Sequence, residues 1–139
     1  MIVAIDPGVT TGVAWWVEDH FNADQFDEHS FYRWIDLNAG DITHCQVEMF
    51  VINAATVRKA VVYDSLYLIG YLRYKAFQTN FPIAFTKPAD VMASFPDAAL
   101  KRANMFTKGK GHANDAARHL AFHLVKTRQI PGSLFLPKG

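Results

Sequence analysis

Four residues have the types and spacing to gather hard, anionic ligands at one place: Asp6, Glu48, His112 and Asp115. Asp6 closes the apolar run Ile2-Val3-Ala4-Ile5 and is followed at once by Pro7-Gly8. Such a run reads as a buried strand, so its terminal carboxylate is carried out of the sheet end into a loop-lined cleft. Glu48 interrupts Val47-Glu48-Met49-Phe50-Val51-Ile52, and reads as a charge in the middle of an apolar strand. That placement is costly unless the charge is paired or binds a metal. Asp115 falls in the first turn of a helix read over His112 to Arg128, and His112 lies three residues earlier on the same face.

Each residue has a plainer reading when taken alone. Asp6 could cap its turn, Glu48 could pair with an arginine, Asp115 could answer the helix dipole, and His112 could simply follow Gly111 into the helix. Taken together, two strand acids and one helix-start acid can converge on one end of a sheet. Two like charges about 4 Å apart repel by roughly 4 kcal/mol at an effective dielectric of about 20. A hard divalent ion removes that penalty, and oxygen ligands select Mg²⁺ or Mn²⁺. A pair of such ions about 3.5–4 Å apart suits phosphodiester hydrolysis, one activating water and the other stabilising the leaving oxygen. His119 and His123 continue the stripe of His112 and Asp115. With no cysteine pair and no His-Glu-x-x-His, they do not argue for zinc. His119 reads as a support for the ligands, and His123 as packed against the sheet or solvated.

These residues need a scaffold, and the composition provides for one. The chain has 139 residues, 50% of them apolar and 14% aromatic, enough for one domain over 1–139 with a substantial core. Disorder is excluded on that composition. No apolar run approaches the roughly 18 residues that span a bilayer, and Met-Ile-Val-Ala-Ile-Asp does not read as a signal peptide. The single Cys45 can form no internal disulfide and reads as a small buried residue at the start of a strand. The net charge of +1 conceals an asymmetry. Residues 1–54 hold nine acids against one base, Arg33, and residues 55–139 hold four acids against thirteen bases. The halves are thus −8 and +9, which suggests a face that attracts a polyanion, or an acidic hairpin beside solvated basic helices.

Along the chain, Ile2 to Asp6 and Val13 to Val17 read as a strand pair joined by a Gly/Thr-rich turn. Residues 19–29 read as a polar loop and Phe31 to Leu37 as a third strand. Asn38-Ala39-Gly40-Asp41 is a turn, and Cys45 to Ile52 a fourth strand. Over residues 55–78 the period changes, and Val61, Leu66, Ile69, Leu72 and Phe77 suit helical spacing. Pro82 to Phe85 is a short fifth strand, followed by helices from Pro88 to about Phe95, Asp97 to Phe106 and His112 to Arg128. Strands that alternate with helices favour parallel pairing, so the expected fold is α/β. Its five-stranded mixed sheet has antiparallel first three strands and flanking helices.

Three segments carry a resemblance: Ile2-Val3-Ala4-Ile5-Asp6-Pro7-Gly8-Val9-Thr10-Thr11-Gly12, Val47-Glu48-Met49-Phe50, and His112-Ala113-Asn114-Asp115-Ala116-Ala117-Arg118-His119. In order and spacing they resemble the RuvC-type Holliday-junction resolvases, of the ribonuclease-H-like superfamily. The resemblance implies a homodimeric, Mg²⁺-dependent endonuclease, with two ions and Mn²⁺ able to substitute, that recognises branched DNA by shape and nicks two strands. Asp6, Glu48 and Asp115 would hold metal, with His112 joining them or assisting proton transfer. Lys87, Lys101, Arg102, Lys108 and Lys110 would grip phosphates; their plainer reading is solvated surface. The family commonly has an aromatic residue three places after the strand acid. Here that place is Val51, and Phe50 lies one earlier. The short chain points to a phage or mobile-element member working in the cytoplasm, the host's if phage-encoded.

Tyr63, Tyr67, Tyr71 and Tyr74 form an aromatic stripe on the long helix. It would pack on the sheet or, as the resemblance favours, make a dimer interface that Gly70 lets come close. Competing readings are a flap, fork or RNA–DNA hybrid nuclease of the same fold, and a nucleic-acid binder without catalysis. An actin-type nucleotide fold is a third, suggested by Asp6-Pro7-Gly8 and Thr10-Thr11-Gly12.

Overall fold

Five strands form a sheet in the order β3-β2-β1-β4-β5 in the computed structural model, which describes residues 1–54, 57 and 61–139 (61 and 62 by backbone alone). In chain order the elements are β1 (Ile2–Asp6), β2 (Thr11–Val17), β3 (His20–Phe26), α1 (Glu28–Asn38) and a 3-10 turn (Ala39–Asp41). They continue with β4 (His44–Glu48), α2 (Val61–Thr79), β5 (Ile83–Thr86), α3 (Pro88–Met92), α4 (Asp97–Arg102), α5 (Gly111–Lys126) and a second 3-10 turn (Gly132–Phe135). β2 is antiparallel to both β1 and β3, while β4 is parallel to both β1 and β5. The expected mixed sheet, with its first three strands antiparallel, is therefore the observed one. Among the described residues no helix is long and apolar enough to cross a membrane.

Strand alternation decides which helices each side chain meets. Val3, Ile5, Val13, Cys45 and Val47 join Phe31 and Ile35 of α1 and Leu68 and Leu72 of α2 in one core. Ile2, Ala4 and Ala14 face the other way, onto Ala116, Ala117, Leu120, Ala121 and Leu124 of α5, with Phe95 and Leu100 beside them. Asp6 continues the even-numbered series of β1 and is directed to the α5 side. On β4, Cys45 and Val47 point to α1 and α2, so Gln46 and Glu48 are directed to α5 as well.

The first turn of α5 comes very close to β2 because Gly12 has no side chain. A Cβ there would stand 1.8 Å from the carbonyl oxygen of His112 and 2.2 Å from its carbonyl carbon. Gly12 is also the ladder partner of Asp6. The turn between the two strands is held from within by Thr11 Oγ1, which donates to the Gly8 carbonyl at 3.1 Å. From α2, Ser65 Oγ donates to the Pro7 carbonyl at 3.0 Å.

Several elements differ from the sequence expectations. Phe31 to Leu37 is not a strand but lies in α1, and the third strand, β3, occupies most of the stretch read as a loop. Phe31 and Ile35 are buried one helical turn apart while Leu37 is exposed, and the Asp27 carboxylate caps the helix by accepting from the Ser30 amide at 2.8 Å. β4 ends at Glu48 instead of running on to Ile52. Its last ladder bond runs from the Met49 amide to the Thr86 carbonyl, and Val51 and Ile52 are exposed. Glu48 is thus a strand-end residue and not a mid-strand one, and strand alternation does not extend to Phe50. The helix expected over 55–78 is α2, Val61–Thr79; Ala55, Thr56, Arg58, Lys59 and Ala60 lie outside the described residues. Of its expected apolar positions Leu72 is buried and Ile69 half-buried, whereas Leu66 and Phe77 are exposed; the Val61 side chain is outside the described set. Cys45 is buried as expected, and burial pushes its thiol up to about 12, so it is inert.

The contact at Gly12 yields a direct expectation. Gly12→Ala should lower the melting temperature by about 10 °C or more, because overpacking against backbone costs on the order of 3 kcal/mol. Gly40→Ala, where a Cβ meets nothing within 4 Å, should melt close to wild type. Equal melting temperatures for the two variants in a thermal unfolding scan would contradict the close approach.

Candidate metal centre

β1 and β4 are parallel neighbours with Ile5 paired to Val47, so Asp6 and Glu48 are the next residues on adjacent strands. Both carboxylates leave the same end of the sheet, at the C-termini of two interior strands, toward α5. α5 adds His112 from its first turn and Asp115 from the start of its second, one residue beyond the first-turn position expected for this acid. His112 Nδ1 lies 3.0 Å from Asp6 Oδ2. Asp6, His112 and Asp115 each offer one ligand atom, and these atoms all lie within 4.8 Å of one another. Asp6 is 8% exposed, whereas the His112 and Asp115 side chains are about half open to solvent. Glu48 stands beside this trio and is held differently: its Oε2 is 3.0 Å from Nε2 of the buried His119.

Asp115 has a fixed position. Arg118, one turn further along α5 and buried, donates from Nη1 to Asp115 and from Nη2 to Asp97 of α4. Its Nε donates to the Phe95 carbonyl at 3.0 Å. A guanidinium held at three points gives a rigid fork for the carboxylate. This residue is not among those the sequence singles out. The Asp115/Arg118 spacing of three on a helix is the available signal; the reach to Asp97 has none.

The charges are mutually unfavourable. Burial, followed by the nearby Glu48 carboxylate, raises Asp6 to about 7, and the bond to His112 only partly opposes this. Asp115 is also raised, chiefly by burial and also by Glu48, against the opposing pull of Arg118. Ionised carboxylates kept together against their own preference are what a divalent cation relieves. Two carboxylates with an imidazole, and a third carboxylate alongside, form a hard donor set with no thiolate. The residues present therefore suit Mg²⁺ or Mn²⁺.

The other expected site residues are dispersed. Lys87 follows the last residue of β5, at the end of the sheet where Glu48 ends β4, and is exposed. Lys108 is exposed in the loop before α5. Lys110, at the start of α5, pairs with Asp24 of β3 at 2.6 Å. Lys101 covers the Phe106 ring, and Arg102 Nε donates to the Phe135 carbonyl at 2.9 Å, pinning the second 3-10 turn. Lys75 pairs with Asp36. Part of the charge asymmetry is thus consumed by pairs between the acidic and basic halves. His123 stacks on His44 with ring centres 3.9 Å apart, and burial lowers it to about 4. It does not reach the acids; His119 does.

The raised Asp6 gives a pH dependence. Its folded pKa lies above the ordinary value of 3.8, so the folded state keeps a proton that the unfolded chain gives up. That contribution to stability is complete below about pH 4 and is lost as pH rises through about 7. In metal-free buffer at about pH 8, Asp6→Asn should therefore melt several degrees above wild type, with the gap closing near pH 4. An Asn variant that melts at or below wild type at the higher pH would contradict the reading.

No protein-family profile matches the chain, and no curated protein matches it. Solved structures do. RuvC of Thermus thermophilus in complex with a Holliday junction substrate superposes with a TM-score of 0.61 at 16% identity, covering 92% of this chain and 94% of that one. A second Thermus thermophilus RuvC structure gives 0.60 at 16% identity, covering 92% and 95%. Nearly the whole chain thus has the fold of RuvC, a ribonuclease-H-like α/β architecture.

Proposed function

We propose that this protein is a metal-dependent endonuclease that cuts branched DNA, the four-way junction above all, as a homodimer of single domains spanning 1–139. The observation that carries the reading is the convergence of Asp6, His112 and Asp115 at one end of the sheet with Glu48 alongside, and with Asp6 raised to about 7 by burial and by Glu48. The likeness to a RuvC structure solved with a Holliday junction substrate supports the choice of DNA. Nicking of chromosomal or phage DNA would place the enzyme in the cytoplasm.

In this reading Asp6, Asp115 and His112 hold a divalent cation, with Glu48 completing the site for a second. Bound Mg²⁺ or Mn²⁺ supplies activation of water and stabilisation of the leaving oxygen. The chain's own groups do the rest. Arg118 keeps Asp115 turned to the site. Without a cation His112 Nδ1 is bonded to Asp6; when the site is loaded, His112 either joins the ligands or uses its half-exposed ring to move a proton. Lys87 and Lys108 are placed to attract phosphates on either side of the acids, and Lys110 can do so if it leaves Asp24. Lys101 and Arg102 would act as a more distant contact, since each already serves α4 or the second 3-10 turn.

Dimer formation would use the outer face of α2. Tyr63, Leu66, Tyr67, Tyr74 and Phe77 are all exposed there, with the exposed Gly70 among them at the same helical spacing. Tyr71 turns inward instead, its ring against Tyr32 and its hydroxyl donating to Asp36 at 2.8 Å. A continuous exposed apolar stripe of this length is unusual on a monomer.

Labelled four-way-junction DNA should be nicked with Mg²⁺ and not with EDTA, and Asp6→Asn should lower the rate by at least about a thousandfold while junction binding persists. Metal-dependent cutting of flaps, forks or RNA–DNA hybrids in preference to junctions would move the substrate. Loss of neither activity in the variant nor dependence on metal would overturn the mechanism. In sedimentation at micromolar concentration the wild type should be dimeric, and Tyr67→Asp with Phe77→Asp should leave a folded monomer. A monomeric wild type would remove α2 as the interface.

A further inference from the structure

His119 is fully buried in α5, one turn beyond Asp115, at a place where its neighbours Ala116, Leu120 and Ala121 pack as hydrocarbon against the sheet. An imidazole there loses its water and must recover hydrogen bonds from the protein. It recovers one, from Nε2 to Glu48 Oε2 at 3.0 Å; Nδ1 is buried with no partner among the described residues. A carboxylate oxygen accepts, so in this pair the ring donates through Nε2. That bond is the one hydrogen bond the described residues give the ring.

Glu48 is the acid that needs such a bond. Asp6 is buried and tied to His112, and Asp115 is clamped by Arg118. Glu48 is longer, ends its strand, and is partly open to solvent. A free glutamate side chain gives up rotamer freedom worth on the order of 1.5 kcal/mol when a ligand orders it. A bond to a buried, immobile ring orders it beforehand, and it occupies one oxygen while leaving the other.

We propose that His119 is a positioning residue for Glu48: it holds Oε2 by a single N–H and thereby presents Oε1 to a divalent cation shared with Asp6 and Asp115. This rests on the metal-dependent reading of the same site.

The test is Mn²⁺ affinity without DNA, followed by the electron paramagnetic resonance of free Mn²⁺. The proteins are wild type, His119→Met, His119→Gln, Glu48→Gln and the double variant Glu48→Gln/His119→Met. Methionine fills the space without a donor, while the glutamine amide nitrogen reaches about where Nε2 stands. His119→Met should weaken binding about tenfold and His119→Gln by no more than about threefold. Adding His119→Met to Glu48→Gln should then cost almost nothing more, since the carboxylate being positioned is gone. A wild type that binds no Mn²⁺ would overturn the metal-dependent reading and this proposal with it. Tight wild-type binding with His119→Met unchanged would overturn the role of His119 alone, as would equal losses in the methionine and glutamine variants. If His119→Met does not fold, His119→Leu takes its place under the same criteria.

Discussion

Three carboxylates that the fold brings to one end of the sheet repel one another, and much of the surrounding structure holds them there. Two full like charges about 4 Å apart in a partly desolvated cleft cost roughly 4 kcal/mol at an effective dielectric of about 20. Among the described residues no lysine pairs with any of the three. The chain raises Asp6 to about 7, leaves Asp115 between burial and Arg118, and gives Glu48 a hydrogen-bond partner in His119. Arg118 is the one full cation that the described residues set against the three acids, and the proposed cation site rests on the charge left unrelieved.

The geometry depends on how closely α5 can lie on the sheet. Ala4 and Ala14 on the strands meet Ala116, Ala117 and Ala121 on the helix, and Gly12 removes the last obstacle at its first turn. Larger residues at those places would lift α5, and His112 and Asp115 with it, away from Asp6. The parity of β1 and β4 does the complementary work, since one shift of register would send both strand acids into the apolar core beside α1 and α2. The small residues and the acids are therefore parts of one requirement, with packing setting the distance and charge setting its use.

The site was more legible in the sequence than the elements around it. Asp6, Glu48 and Asp115 are local anomalies, acids beside apolar runs or at a helix start, and such anomalies survive errors in element boundaries. Glu48 was found for an imperfect reason: its strand ends there, because β4 extends only as far as its neighbours β1 and β5 can pair with it. β3 was hidden since an edge strand with polar residues shows little alternation. Its hairpin also turns on Glu18 and Asp19 with positive φ instead of the usual glycine or asparagine. α1 resembles a strand in sequence because Phe31, Arg33, Ile35 and Leu37 alternate in spacing, while Phe31 and Ile35 serve a helix equally well. Bonds between distant elements had no sequence signal: Arg118 to Asp97, His119 to Glu48, and Lys110 to Asp24 across 86 residues.

The claim that the acid cluster is a cation site is tested most directly by crystals grown with Mn²⁺ and an anomalous difference map at the manganese edge. A strong peak bounded by Asp6, His112 and Asp115, with Glu48 beside it, is the predicted result. Saturating Mn²⁺ with no peak there, and Asp6 still paired to His112 as in the metal-free protein, would contradict the account.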